Sequence, residues 1–134
     1  RFLIKQFNFF ARTILWAAYG DKGKLSPEIH RHYLMPLQHK NERKGNWVFP
    51  WQITASAEWL ASLWDQRDVL GEKNILIAWG MKDIAFREKE LSCWKVAFPQ
   101  AHGVTYPKVG HFVAEEEPQK LAHEMKVAFF CGDE

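Results

Sequence analysis

The chain lacks the features that mark several specialised classes of protein. It has only two cysteines, Cys93 and Cys131, without metal-binding or redox spacing, so we interpret them as reduced thiols of a cytoplasmic protein. Its basic residues are scattered and the net charge is only +2, which argues against a nucleic-acid partner. The apolar stretch from Phe2 to Tyr19 is interrupted by polar residues, and it resembles neither a membrane span nor a signal peptide.

Aromatic residues are, in contrast, abundant. They make up 15% of the 134 residues, and 47% of the chain is hydrophobic. This composition predicts a large apolar interior or a buried interface. Tryptophan contributes seven of these side chains, and we expect core or interface packing for most of them rather than a place in a substrate pocket. They are Trp16, Trp47, Trp51, Trp59, Trp64, Trp79 and Trp94.

The spacing of apolar residues predicts a helical first half and an α/β second half. Ser26, followed by Pro27 and Glu28, is typical of a helix start. Ile75–Trp79 is a short apolar run that predicts a buried strand, and Gly103–Tyr106 predicts a weaker one. The remaining predictions are helices over residues 2–19, 26–34, 50–70, 88–98 and 118–130, and a polar loop over residues 38–47. Strand, helix, strand and helix in succession predict a βαβ unit with parallel strands.

An acidic and a basic side chain follow the two predicted strands. Asp83 comes three residues after Gly80, and His111 comes directly after Gly110. Parallel strands bring their carboxyl ends to one edge of the sheet, which is where α/β proteins hold reactive groups. A carboxylate beside an imidazole fixes its tautomer and stabilises the imidazolium. The alternative is that Asp83 caps a turn and His111 is a surface histidine.

The segments around these residues resemble the end of an α/β-hydrolase. WGMKD and GHFVAEEEP are similar to the loops after the last two strands in the haloalkane dehalogenase-like branch of that fold. PEIHRHYLMPL and ERKGNWVFPWQI are similar to the end of its helical cap and the return to the main domain. The resemblance implies a cap-derived segment over residues 1–50 and the C-terminal part of the hydrolase core over residues 51–134, forming one compact unit. It also implies that Asp83 is the acid and His111 the base of a catalytic triad, and it assigns no catalytic role to Glu115 or Glu116.

The nucleophile of that family is missing from this sequence. It sits on a G-x-[DS]-x-G elbow between a strand and a helix, and no such segment occurs here. Gly20-Asp21-Lys22-Gly23 does not have the spacing of this elbow. His102-Gly103 shares only its residue types with the oxyanion loop of that family. We therefore expect the second half of a dehalogenase-like hydrolase, acting on a small apolar substrate when complete. The alternatives are a non-catalytic remnant that self-associates, and a half that a separate N-terminal chain complements.

Partner and ligand expectations follow from the same features. Two parallel strands form a poor sheet, and the strand at Ile75–Trp79 would normally have a neighbour on its other side. We therefore expect a homodimer that pairs this open edge with its own copy. His30 and His32 lie two residues apart, which does not place them on one helix face, so we predict no metal site. We also predict no cofactor and no membrane partner.

Overall fold

The computed structural model describes residues 2–130, so that Cys131 lies outside the described residues. Shorter turns connect the main elements: a π-helical turn at Phe10–Ile14 and 3₁₀ turns at Lys22–Lys24, Met35–Leu37 and Arg67–Leu70. The helices are α1 (Phe2–Phe7), α2 (Leu15–Ala18), α3 (Pro27–Leu34), α4 (Lys44–Ala55), α5 (Ala57–Asp65), α6 (Glu88–Ala97), α7 (Val113–Glu116) and α8 (Pro118–Phe130), and the strands are β1 (Leu76–Gly80) and β2 (His102–Tyr106). No helix within residues 2–130 is both long and apolar enough to cross a bilayer.

The described residues divide into two compact units. One contains residues 2–17 and 25–66 and is helical. The other contains residues 18–24 and 67–130 and holds both strands. The boundary predicted at residue 50 separates a cap-derived segment from the hydrolase core, and that assignment stays a prediction.

The helical unit departs from the predicted pattern at its first helix. The expectation of one helix over residues 2–19 is wrong, because the backbone leaves the helical region at Asn8, where φ is 51°. A π-helical turn and the short α2 follow. The predicted start of the next helix is confirmed: Ser26 is the N-cap of α3, and its Oγ accepts a hydrogen bond from the Ile29 backbone N–H at 3.2 Å. This bond satisfies one of the N–H groups that a helix start leaves unpaired.

The middle of the helical unit also corrects the sequence prediction. The polar loop ends earlier than expected, because α4 begins at Lys44 and carries Pro50 inside it. The helix predicted over residues 50–70 is in fact two helices, separated at Ser56, with a 3₁₀ turn after Gln66. Apolar spacing alone missed these breaks.

Arg43 holds the loops of the helical unit together. Its side chain is buried, with only 8% of the residue exposed. The guanidinium donates hydrogen bonds to the backbone carbonyls of Leu37 (2.7 Å), Gln38 (2.6 Å), Lys5 (2.8 Å) and Gln6 (3.0 Å). A guanidinium presents five N–H donors in a fixed fork, so one side chain joins the end of α1 to the residues before α4.

The tryptophans are not in the core. None of the seven is buried, and Trp51 and Trp59 are among the most exposed large side chains. The expectation of core packing for them is therefore wrong, while packing at an interface stays a prediction. The buried apolar residues of the helical unit are Ala11, Leu15 and Leu25. Those of the α/β unit are Ala18, Tyr19, Ile77, Leu91, Phe98, Tyr106 and Val109.

The βαβ prediction is confirmed in the α/β unit. β1 and β2 pair in parallel, with a register that runs from Leu76 opposite His102 to Gly80 opposite Tyr106. The helix between them, α6, lies within one residue of its predicted bounds, and α8 has the predicted bounds. The short helix α7 lies between β2 and α8. Both strands end at the same edge of the sheet, which is where the candidate site lies.

Candidate functional site

The loop after β1 fixes the carboxylate of Asp83. Its backbone N–H donates to the Gly80 carbonyl at 3.2 Å, which forms a tight turn directly at the strand end. The Oδ1 atom accepts hydrogen bonds from the N–H groups of Ala85 (2.7 Å) and Phe86 (3.1 Å). Asp83 thus caps a turn, as the alternative interpretation held, yet this uses only one of its two oxygens. The second oxygen remains available for His111.

The loop after β2 holds His111 from both sides. On one side, its backbone N–H donates to the Ala18 carbonyl at 2.8 Å. On the other side, the two loops bond to each other: the Lys82 N–H donates to the Val109 carbonyl at 2.9 Å, and the Met81 N–H to the Tyr106 carbonyl at 3.0 Å. The loop that carries the acid is therefore joined by backbone hydrogen bonds to the loop that carries the base.

Asp83 and His111 meet in a direct side-chain hydrogen bond. The Oδ2 atom of Asp83 lies 2.8 Å from Nδ1 of His111. The Asp83 side chain is 9% exposed and that of His111 36% exposed, so the acid is shielded while the base can be reached from solvent. An ionised carboxylate can only accept, so Nδ1 carries the proton and Nε2 is the basic nitrogen. This is the arrangement of an acid that orients a general base.

Aromatic rings surround the imidazole, and sequence reasoning had not assigned them to the site. Phe86 stacks on His111 with ring centroids 5.6 Å apart, and Phe112 meets it edge-on at 5.3 Å. Trp79 contacts Phe86 in turn, and its Nε1–H donates to the Phe86 carbonyl at 3.1 Å. These rings limit the orientations that the imidazole of His111 can adopt. The adjacency of Phe86 to Asp83 and of Phe112 to His111 is the sequence signal that could have found them.

Tyr19 lies behind this ring cluster. Its ring packs against Phe112 with centroids 5.0 Å apart, and its hydroxyl donates a hydrogen bond to Glu115. Burial, and after it the hydrogen bond to the Glu115 carboxylate, raise the pKa of the Tyr19 phenol well above its ordinary value. Tyr19 therefore stays neutral and serves as a fixed support for Phe112.

The structure also assigns a place to Glu116 and to the segment that begins at Gly20. Glu116 is almost fully buried. Its carboxylate accepts hydrogen bonds from the backbone N–H groups of Gly20, Asp21 and Gly110. Gly20-Asp21-Lys22-Gly23 is thus a neighbour of the histidine loop. Sequence reasoning could not have found this contact, since 96 positions separate Gly20 from Glu116.

The other histidines considered from the sequence lie elsewhere. The Nε2 atom of His30 contacts the Ala11 carbonyl at 3.1 Å. The Nε2 atom of His102 lies 2.7 Å from Glu124 Oε2, at the start of β2 and so at the opposite end of that strand from His111. Among residues 2–130, no three His, Cys, Asp or Glu side chains are grouped so that they could hold a metal ion.

Comparison with known proteins finds relatives of the α/β-hydrolase fold, and the βαβ unit with α7 and α8 corresponds to part of that fold. The chain is 33% identical over 126 residues to proteins named haloalkane dehalogenase 2 from Mycobacterium tuberculosis and Mycobacterium bovis, which covers 91% of this chain and 43% of the relatives. It is 26% identical over 123 residues to a cis-3-alkyl-4-alkyloxetan-2-one decarboxylase from Xanthomonas campestris pv. campestris, covering 88% of this chain and 40% of that protein. The chain thus spans less than half the length of the curated relatives it matches. No family model matches it.

Proposed function

Because this chain is homologous to haloalkane dehalogenases and corresponds to part of an α/β-hydrolase, we propose that it carries the acid and the base of a hydrolytic triad. His111 is the general base and Asp83 its orienting acid. The observation that carries this proposal is the 2.8 Å hydrogen bond between Asp83 Oδ2 and His111 Nδ1. It brings together two side chains that lie 28 positions apart in the chain.

The proposed reaction has two steps in the complete site. A carboxylate nucleophile, which the present sequence does not contain, displaces a leaving group such as halide from a small apolar substrate and forms an ester. The Nε2 atom of His111 then removes a proton from water, and the hydroxide oxygen attacks the ester carbonyl. The charge that develops on the imidazole is stabilised by Asp83. Breakage of the ester C–O bond then releases the alcohol, which takes the second proton of the water. The imidazolium gives up its proton to solvent, so that the carboxylate and the base are both regenerated.

A chimera tests this proposal in the setting of a whole enzyme. The chain replaces the homologous part of the mycobacterial haloalkane dehalogenase 2, and halide release is measured from short haloalkanes, with ester and epoxide probes alongside. We expect turnover that His111→Ala abolishes, with a loss of about 10³-fold or more because the base is gone. His102→Ala is the matched control, since this exposed histidine lies at the other end of β2. A folded chimera whose turnover survives His111→Ala would contradict the proposal.

The chain by itself supports a second proposal, namely self-association without turnover. In β1, the Ile75 carbonyl and the Met81 N–H face β2, so by strand alternation the peptide groups of Leu76 and Ala78 face the other way. Within residues 2–130, the sheet has only the two strands β1 and β2. An exposed strand edge is a template for pairing. We propose that two copies pair antiparallel along β1 about a two-fold axis.

Exposed apolar side chains support this second proposal. Val69, Val96 and Phe130 of the α/β unit are all more than 70% exposed, and contact with a second copy would remove apolar area of this kind from water. Light scattering on the purified chain is the test, with halide release measured on the same sample. A dimer without turnover supports the proposal, whereas a monomer at micromolar concentration contradicts it. Pairing of the edge with an added N-terminal hydrolase half, rather than with a second copy, would indicate complementation instead.

A further inference from the structure

Glu116 is a buried acid that the proposed reaction does not use. Only 1% of the residue is exposed. Burying a carboxylate is costly unless hydrogen bonds replace its hydration. Here the replacement comes from the backbone: Oε2 accepts from Asp21 N–H at 2.8 Å, Oε1 accepts from Gly110 N–H at 2.8 Å, and the Gly20 N–H lies 3.0 Å from Oε2 and 3.1 Å from Oε1. One carboxylate therefore satisfies three N–H groups.

These three N–H groups belong to two chain segments that contact each other next to His111. Gly110 is the residue before His111, and the His111 N–H itself bonds to the Ala18 carbonyl. A Cβ atom on Gly20 would overlap the backbone of Lys108 and Gly110, and a Cβ on Gly110 would overlap the backbone of Ala18 and Gly20. The contact between the two segments is thus backbone against backbone, and the Glu116 carboxylate lies where they join.

We propose that Glu116 is a positioning residue for His111. Its carboxylate fastens Gly110 to the Gly20–Asp21 backbone, and this holds the imidazole at the distance from Asp83 that its orientation requires. The inference rests on the proposed function, in which His111 is the base. The cost of losing the carboxylate is large, because three buried donors would be left unpaired. A misplacement of about 1 Å at a reacting group is enough to slow a reaction severely.

The test uses the full chain and follows the proton on His111 Nδ1 by nuclear magnetic resonance. Asp83→Asn identifies the signal, since it removes the carboxylate acceptor. In Glu116→Gln, we expect this proton to exchange with water at least roughly tenfold faster, because the loop carrying His111 opens more often. Glu124→Gln is the matched control: it also neutralises a hydrogen-bonded carboxylate, but it lies beside His102 at the far end of β2. We expect no change in that variant.

The outcomes separate this inference from the proposed function. An Asp83-dependent signal in the unmodified chain that Glu116→Gln leaves unchanged overturns the positioning role alone. Absence of any Asp83-dependent signal in the unmodified chain overturns the acid–base pair and the inference with it. If Glu116→Gln does not fold, Glu116→Asp replaces it, keeping the charge but shortening the side chain by one methylene. Faster exchange of the Nδ1 proton is again expected, and an unchanged rate overturns the inference.

A second measurement in the unmodified chain requires no substitution. Amide hydrogen exchange is followed for Gly20, Asp21 and Gly110 together with the His111 Nδ1 proton. If the Glu116 carboxylate holds the loop in place, one opening event exposes the three amide protons and the Nδ1 proton to exchange. Their exchange rates then respond equally to added urea. Opening of the Gly110 amide while the Nδ1 proton stays protected would overturn the proposal.

Discussion

Gly80 and Gly110 pack backbone against backbone, with no room for a side chain on either. A Cβ on Gly80 would overlap the carbonyl oxygens of Gly110 and Val109. Gly80 ends β1 three residues before Asp83, and Gly110 precedes His111. The closeness of the two loops, and with it the meeting of acid and base, therefore depends on the absence of a side chain at Gly80. At Gly110 a Cβ would instead overlap the backbone of Ala18 and Gly20.

A methyl group at Gly80 tests this dependence. We expect Gly80→Ala to lower the free energy of unfolding by about 1 to 3 kcal/mol, because a well-packed contact must be forced apart. Gly103→Ala is the matched control in β2, since a Cβ there meets nothing within 4 Å. It should leave stability unchanged or raise it by about 0.5 kcal/mol. Urea denaturation measures both, and equal effects would contradict the packing argument.

The two buried tyrosines should respond in opposite ways to loss of their hydroxyls. Tyr19→Phe removes the hydrogen bond to Glu115 and should cost about 1 to 2 kcal/mol. The buried Tyr106 hydroxyl has no hydrogen-bond partner within the described residues, so Tyr106→Phe should be neutral or stabilise by up to about 1 kcal/mol. Denaturation curves of the two variants at neutral pH check the contrast. A larger loss in Tyr106→Phe than in Tyr19→Phe would be inconsistent with these contacts.

Alkaline pH should weaken the fold through Tyr19. Burial and the neighbouring Glu115 raise the pKa of this phenol above its ordinary value of 10.0. The folded chain therefore holds the proton more tightly than the unfolded chain does, so this contribution to stability is complete below pH 10 and is lost as the pH rises above it. Tyr19→Phe should show a smaller fall in unfolding free energy between pH 10 and about 11. Parallel falls in both proteins would disprove the assignment.

The ring of Phe86 should hold the imidazole in place. Phe86→Ala removes the stack on His111 and should cost about 1 kcal/mol of stability. It should also broaden or average the ring signals of His111, because the imidazole gains freedom. Phe130→Ala is the control, since this ring is 79% exposed at the end of α8. Nuclear magnetic resonance relaxation of His111 decides the matter, and unchanged relaxation in Phe86→Ala would count against a supporting role.

Self-association through β1 should be sensitive to proline at its outer edge. Ala78→Pro removes an N–H that faces away from β2, so the β1–β2 pairing is kept while the proposed pairing with a second copy is blocked. Thr105→Pro makes the same change on the outer edge of β2 and is the matched control. Light scattering should report a monomer for the first variant and a dimer for the second. A dimer in both would place the interface elsewhere.

Local pattern was sufficient for β1, β2, α6 and α8 of the α/β unit, whereas α7 and the 3₁₀ turn at Arg67–Leu70 were not predicted. The run at Ile75–Trp79 and the segment at Gly103–Tyr106 are strands within a residue of their predicted bounds, because short apolar runs between turn residues have few alternatives. Residues 118–130 form the predicted helix, and Pro118 is at its first position, where proline is favoured. In the helical unit, the break at Asn8 and the early start of α4 escaped prediction. Both depend on loop contacts, such as those of Arg43, that periodicity does not contain.

The candidate site, too, could be predicted only in part from the sequence. Asp83 and His111 could be named from their places after two strands and from the resemblance of the flanking segments to a hydrolase. Their hydrogen bond and the hydrogen bonds of Glu116 could not. Each of these requires distances between side chains that lie far apart in the chain.

The sequence by itself determined which residues can react and where the strands that present them begin and end, since these follow from residue type and short-range pattern. Tertiary structure alone decided that the acid reaches the base. It brought Gly80 against Gly110 and placed Glu116 between Gly20 and Gly110. The physical reason is that close backbone packing and buried hydrogen bonds arise only when distant segments meet, and no local pattern records that meeting.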